Sequence, residues 1–317
     1  MPKHTNQKFN PIDSILKKFS PIILDGALAT ELEKQGFDLD DPLWSARVLM
    51  ENPDAIAKIH ADYFRKGADV AITSSYQATI EGFAQRGIRK EKAIELIKKT
   101  VLLARGARDE VWKEIKKTNR PKPLVAASVG PYGAYLADGS EYKGNYKISD
   151  VELKKFHRPR LEALIEAGAD LLALETIPSL QEAKVLISLL EEFPETSAWL
   201  SFTLKDGKSI SDGASLQECA SAVHNRQQVA AIGVNCAPIS DASAAVEEFY
   251  KYTNKPIIVY PNSGERYNPE TKTWCGSTDG SFETQSEVWF KNGARIIGGC
   301  CRTSPEHIES LYRKWRG

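Results

Sequence analysis

Sulfur is scarce in this chain, and neither sign of charge prevails. Five cysteines and two methionines stand among 317 residues, and 42 basic side chains are matched by 42 acidic ones. The cancelling charge leaves no electrostatic footprint for nucleic acid or an anionic membrane, so neither is expected as a partner, and a small, roughly neutral substrate fits better. No stretch approaches the ~20 apolar residues that span a bilayer, and the opening MPKHTNQKFNPIDSILKKFSP lacks an apolar run of signal-peptide length. A cytoplasmic protein is the expectation. Low-complexity segments are lacking too, as are linkers that would divide the chain. An odd number of cysteines in a chain this long argues against a disulfide framework. The thiols are then core filler, nucleophiles or metal ligands.

Short runs of Val, Ile, Leu and Ala, bounded by Gly, Pro or Asn, occur eight times: at 21–26, 69–76, 123–130, 170–176, 198–203, 230–236, 256–262 and 294–300. Their apolar residues are nearly continuous instead of alternating, as in strands of a parallel sheet covered on both faces. Segments of helical period lie between them, among them 52–68, 90–112, 149–169, 179–193 and 304–315; several open on a capping Ser or Asn, and three segments end in Gly-Ala. Eight βα units in order predict a single (β/α)8 TIM barrel over residues 21–317, preceded by an N-terminal arm over residues 1–20. A doubly wound open sheet is the alternative, disfavoured because the first strand is not followed by a glycine-rich phosphate loop. Pro159 is expected to kink its helix, and no function is read into it or into His157. The chain shows no long apolar stripe that demands a dimer, so a monomer is the default.

Two long connections, 131–147 and 263–283, follow the third and seventh strands. In a barrel both lie on the C-terminal face, where long loops act as lids or binding walls and where the chemistry of such folds is found. The predicted strand ends there carry Asp25, Tyr76, Gly130, Glu175, Thr203, Asn235 with Cys236, Asn262, and Cys300 with Cys301. Three thiols at one mouth suit a borderline metal, and zinc with three protein ligands keeps a fourth position for water or substrate. Glycines 298 and 299 would let the backbone turn tightly enough to aim the adjacent pair inward. The alternative is one core thiol and its neighbour, since free cysteine is often buried. Cys219, in a helical segment, and Cys275, in a loop, are read as structural or solvent-facing. Asp25 and Glu175 are either an ordinary helix cap and surface acid or a pair that holds an ammonium group. The N–H groups of Gly26 and Ala27 open the next helix and suit a carboxylate.

The segments LDGALATELE, ITSSYQAT, SVGPYGAYLADGSEYKGNY, LETIP, GVNC, YPNSGERYNP and NGARIIGGCCRTSPEHI resemble the homocysteine S-methyltransferase family from about residue 21 to about residue 310. The loop GPYGAYLADGSEY most resembles the branch that uses S-methylmethionine or S-adenosylmethionine. The resemblance implies a zinc barrel that makes methionine from L-homocysteine. It implies Cys236, Cys300 and Cys301 as zinc ligands, and Asp25, Glu175, Gly26 and Ala27 as acceptor-binding residues. Asn235, which precedes the first ligand in the Gly-x-Asn-Cys motif, is expected among the substrate-binding residues with Tyr76 and Trp44, and Tyr76 falls where betaine-using relatives have a tyrosine able to fill the vacant zinc position. Tyr76, Trp44, Tyr132 and Tyr135 are candidates to face a sulfonium by cation–π contact. A betaine donor, a selenocysteine-type acceptor and a non-catalytic thiol redox sensor remain as alternatives. A betaine enzyme would be expected to carry a longer C-terminal extension.

Overall fold

In the computed structural model, which describes residues 10–38, 45–264, 266–268, 273–275 and 282–317, the chain builds one ring of eight parallel strands. These are β1 (Ile22–Ile23), β2 (Val70–Ile72), β3 (Leu124–Val129), β4 (Leu171–Ile177), β5 (Ala198–Phe202), β6 (Val229–Asn235), β7 (Ile257–Tyr260) and β8 (Ala294–Ile297). Each strand pairs with its neighbours in sequence, β8 pairs with β1, and a bridge from Leu24 to Val70 joins β1 to β2. The sheet therefore closes into the expected barrel, with the crossover helices outside.

Burial explains the unbroken apolar runs. Successive side chains of a strand point to opposite faces. Ile22, Leu171, Trp199 and Ile258 join the interior cluster, while Ile23, Leu172, Leu200 and Val259 join the layer under the helices. Both faces are dry, so both sets are apolar.

Three helices give way to the next strand at glycines with positive φ, Gly67, Gly168 and Gly293, which are the predicted Gly-Ala stops. Ser149 forms a capping box with Glu152 at the start of helix Asp150–Glu166, and that helix continues through Pro159. Below the barrel, helix Pro11–Leu16 starts at Asn10, whose side chain accepts from the Ile12 N–H at 3.0 Å. Its Ile12 and Ile15 are buried in the interior cluster, so part of the N-terminal arm serves as the barrel floor.

Among the described residues no helix is long and apolar enough to cross a membrane. The connection after β3 holds a short helix, Tyr132–Leu136, and one turn of 3-10 helix, Ser140–Tyr142. The connection after β7 contains an antiparallel ribbon of Arg266–Asn268 with Thr273–Cys275. The backbone of Cys275, expected in a loop, is therefore in a short strand, because this long connection folds back and bonds to itself.

Candidate metal and substrate site

Cys236 follows the last residue of β6, and Cys300 and Cys301 follow β8 after two glycines. Ring closure carries these ends to one side of the mouth. The three sulfurs lie within 4.8 Å of one another, and Cys236 Sγ is 3.6 Å from Cys301 Sγ. Thiolates ~2.3 Å from one tetrahedral ion stand about 3.8 Å apart, so the donor set fits zinc in chemistry and in spacing. Left to themselves the thiols share charge: hydrogen bonds from Cys300 and Cys301 pull the Cys236 thiol below its ordinary range, while those two are pushed up. The backbone of the pair is fixed by Cys300 N–H donating to Pro261 O at 2.8 Å and by Cys301 O accepting from Ser263 N–H at 3.1 Å.

The glycines beside the pair act differently from the expectation. Neither adopts positive φ. A Cβ at Gly298 would stand 2.4 Å from Leu24 Cβ, and one at Gly299 would stand 2.3 Å from Thr303 Oγ1. They are needed because other chain segments approach closely, while the left-handed turns fall at Cys236, with φ 53°, and Arg302, with φ 65°.

Asp25 and Glu175 project from the ends of β1 and β4 and are both buried. Asp25 Oδ2 accepts from Ile72 N–H at 2.8 Å, and its Oδ1 has no partner among the described residues. Burial, and then the Glu175 charge, pushes the Asp25 carboxyl well above the usual range. Glu175 accepts from Ser128 Oγ and, at 3.1 Å, from the Tyr260 hydroxyl. Burial raises it to about 7 against those hydrogen bonds. Among the described residues neither acid forms an ion pair with a lysine or arginine. Two carboxylates held without a cation form a receptor for one.

Other predicted residues meet the structure unevenly. The Ala27 N–H donates to Thr303 O at 3.2 Å, which leaves the Gly26 N–H as the donor of that pair still open among the described residues. Asn235 was expected at the substrate, yet its side chain is committed to the scaffold. Its Oδ1 accepts from Thr176 N–H at 2.9 Å and from Ser201 Oγ at 2.9 Å, and its Nδ2 donates to Thr176 Oγ1 at 2.8 Å. Those bonds hold Thr176 in its left-handed conformation beside Glu175. Tyr76 is half-buried next to the thiols, hydrogen-bonded to Thr176, and its hydroxyl is pushed up by burial and then by Glu141 and Cys236. Tyr132 and Tyr135 pack with Tyr146 and Phe156 at ring distances of 5.0–5.7 Å, which makes them wall. Trp44 lies outside the described residues. Cys219 is buried in helix Leu216–Val223, its thiol pushed up by burial, as befits a structural side chain.

Two residues that sequence reasoning passed over come from the connection after β3. The Tyr142 hydroxyl lies 3.7 Å from Cys236 Sγ. Glu141 beside it keeps Oε2 enclosed with no partner among the described residues. The signal was an acid and an aromatic side by side in a long loop over a metal site.

A buried clasp aims that loop. Glu182, fully enclosed, accepts from Tyr132 N–H at 2.6 Å, the Tyr146 hydroxyl at 2.6 Å and His157 Nε2 at 2.7 Å. Arg160, which can only donate, meets His157 Nδ1 at 2.8 Å and reaches the carbonyls of Gly130 and Tyr76 at 2.6 and 3.2 Å. His157 is therefore neutral with its proton on Nε2, and burial lowers its pKa accordingly. Both ends of the loop are tied to the barrel through this cluster.

The sequence pattern of the homocysteine S-methyltransferase family matches residues 22–315. Homocysteine S-methyltransferase YbgG of Bacillus subtilis is 58% identical over 304 residues, spanning 95% of this chain and 96% of the relative. Homocysteine S-methyltransferase of Escherichia coli is 48% identical over 304 residues, spanning 95% and 97%. The crystal structure of the metallated homocysteine methyltransferase MmuM from Escherichia coli superposes with a TM-score of 0.88 at 46% identity, over 96% of this chain and all of that one (100%).

Proposed function

Because the chain belongs to the homocysteine S-methyltransferase family and is an enzyme of that class, we propose that it uses zinc to transfer a methyl group from S-methylmethionine, or S-adenosylmethionine, to L-homocysteine. The product is methionine. The observation that carries the reading is the convergence of three thiols with two buried carboxylates, neither ion-paired among the described residues, at one end of the barrel. In this reading the barrel of residues 21–317 does the chemistry and residues 1–20 are an arm before it. A cytoplasmic setting suits a site built on reduced thiols.

Cys236, Cys300 and Cys301 would hold the metal. Zinc bound there would supply the Lewis acidity that removes the homocysteine proton, while three thiolate ligands keep the substrate sulfur electron-rich. Asp25 and Glu175 bind the ammonium group of homocysteine, whose charge relieves their burial. The Gly26 N–H receives its carboxylate. Asn235 keeps Thr176, and with it Glu175, in place.

The acceptor sulfur forms a bond to the donor methyl carbon as the donor's own sulfur–carbon bond breaks, and that electron pair leaves with a neutral thioether. The homocysteine thiol proton passes to solvent. A neutral leaving group needs no acid, so the residues serve alignment, which can be worth on the order of 7–11 kcal/mol at best. Tyr76 and Tyr142 narrow the mouth beside the sulfurs.

The test is methionine formation by the purified zinc enzyme with homocysteine and S-methylmethionine, beside parallel reactions with S-adenosylmethionine and betaine. Faster turnover with either sulfonium than with betaine is expected. Turnover with betaine alone, or full activity of a zinc-free preparation, overturns the reading.

A further inference from the structure

Glu141 is a third acid at the thiols, and the proposed reaction uses only two. It stands in the 3-10 turn next to Tyr142, whose hydroxyl lies 3.7 Å from Cys236 Sγ. We propose that Glu141 is the donor-binding carboxylate, holding the ammonium group of S-methylmethionine during methyl transfer. This rests on the reaction proposed above and names a residue that it left unassigned.

Three observations support the assignment. Glu141 Oε2 is enclosed without a hydrogen-bond partner among the described residues, an arrangement that disfavours the charged form until a cation arrives. Its place is held from the backbone. Glu141 O accepts from Thr203 Oγ1 at 3.2 Å, and Gly133 presses so near that a Cβ there would lie 2.5 Å from Glu141 N. Lastly, Glu141 stands apart from the acceptor pair. Asp25 and Glu175 come from the ends of β1 and β4, whereas Glu141 comes from the 3-10 turn of the connection after β3. Two acids on the strand ends and one on the loop thus lie at the mouth that holds the thiols, which suits two substrates that each carry an ammonium group.

The ammonium is a better match than the sulfonium. The sulfonium charge vanishes as the methyl leaves, so a carboxylate against it would favour the bound donor over the transition state and slow the reaction. The ammonium keeps its charge throughout. A carboxylate there binds donor and transition state alike and appears mainly in the donor KM.

The experiment compares the zinc-loaded wild type with Glu141→Gln and Glu141→Asp, varying both substrates. Dimethylsulfoniobutanoate, the donor without its amino group, is measured as a competitor, so that it reports whether or not it reacts. The Gln variant is expected to raise the KM for S-methylmethionine on the order of ten- to a hundredfold, the usual loss for a charge-assisted hydrogen bond. The KM for homocysteine should stay, the Asp variant should recover part of the loss, and inhibition by dimethylsulfoniobutanoate should be equal in wild type and Gln variant. An equal rise in both KM values overturns the assignment, as does weaker inhibition by dimethylsulfoniobutanoate in step with the donor KM. If wild type makes methionine from S-methylmethionine and Glu141→Gln matches it, this inference alone fails. If wild type makes methionine from S-adenosylmethionine but not from S-methylmethionine, this inference alone fails; if it makes methionine from neither sulfonium, the proposed function fails and takes the inference with it.

Discussion

Cys236 and Thr176 both sit in the left-handed region, with φ of 53° and 60°, where a non-glycine residue costs about 1–3 kcal/mol. Asn235 lies between them in the design, bonded to Thr176 through both ends of its amide. The strain aims a thiol and a carboxylate at one point, so at residue scale the site is defined by its side chains and by what holds them. Replacing Cys236, Cys300 or Cys301 by Ala should abolish stoichiometric zinc and methionine formation together, measured by metal analysis and assay on the same preparation. A zinc-free variant with full activity would show that the thiols are not the ligands. Glu175 makes a pH prediction. Its folded pKa of about 7 lies above its ordinary 4.5, so the folded state holds the proton more tightly between those values. Stability of the metal- and substrate-free protein therefore falls as pH rises from about 4.5 to about 7, by roughly 3 kcal/mol from this group. Urea titrations across that window should show the slope reduced in Glu175→Gln. A residual slope of the same sign belongs to the other acids that burial raises, Asp25, Glu141 and Asp69.

Elements enter through two connections. The loop after β3 delivers Glu141 and Tyr142, and its ends are fastened by Glu182. Glu182→Ala would take a partner from the half-buried Tyr132 N–H and Tyr146 hydroxyl and leave the buried His157 unsatisfied, at about 1–3 kcal/mol for that group. Faster hydrogen exchange over 131–147 and a higher donor KM are the expected signs. Unchanged exchange in that loop would mean that the clasp does not position it. At the other connection, Gly299→Ala forces a Cβ to within 2.3 Å of Thr303 Oγ1, so it should displace Cys300 and Cys301 and weaken zinc affinity before it unfolds the barrel. A zinc titration by competition with a chelator measures it.

Across the whole molecule the ring has a floor and a mouth. The floor is helix Pro11–Leu16, sealed by Ile12 and Ile15, while every candidate site residue that the structure describes lies at the other end. Ile12→Ala should therefore lower stability by about 2–5 kcal/mol and leave the KM values of the folded enzyme where they were. Chemical denaturation paired with steady-state kinetics separates the two. A matching shift in both substrate KM values would mean that floor and mouth are coupled.

By itself the chain determined the ring. Its strands are buried on both faces, so their apolar runs are continuous and countable, and the Gly-Ala stops are legible because the chain turns there through glycines with positive φ. Cys236, Cys300, Cys301, Asp25 and Glu175 were equally visible, since a parallel barrel presents the residues after its strands at a single mouth. Tertiary structure alone decided what neighbouring segments do to one another. Asn235 turned inward to Thr176, the Ala27 N–H was taken by Thr303, Gly298 and Gly299 answered to close contact instead of φ, and Tyr142 occupied the place beside the sulfur. Apart from Gly299, which meets Thr303 four residues on, each of these depends on a partner far away in the chain, and the hydrogen-bonding capacity of a residue type does not say which partner will be near enough to use it.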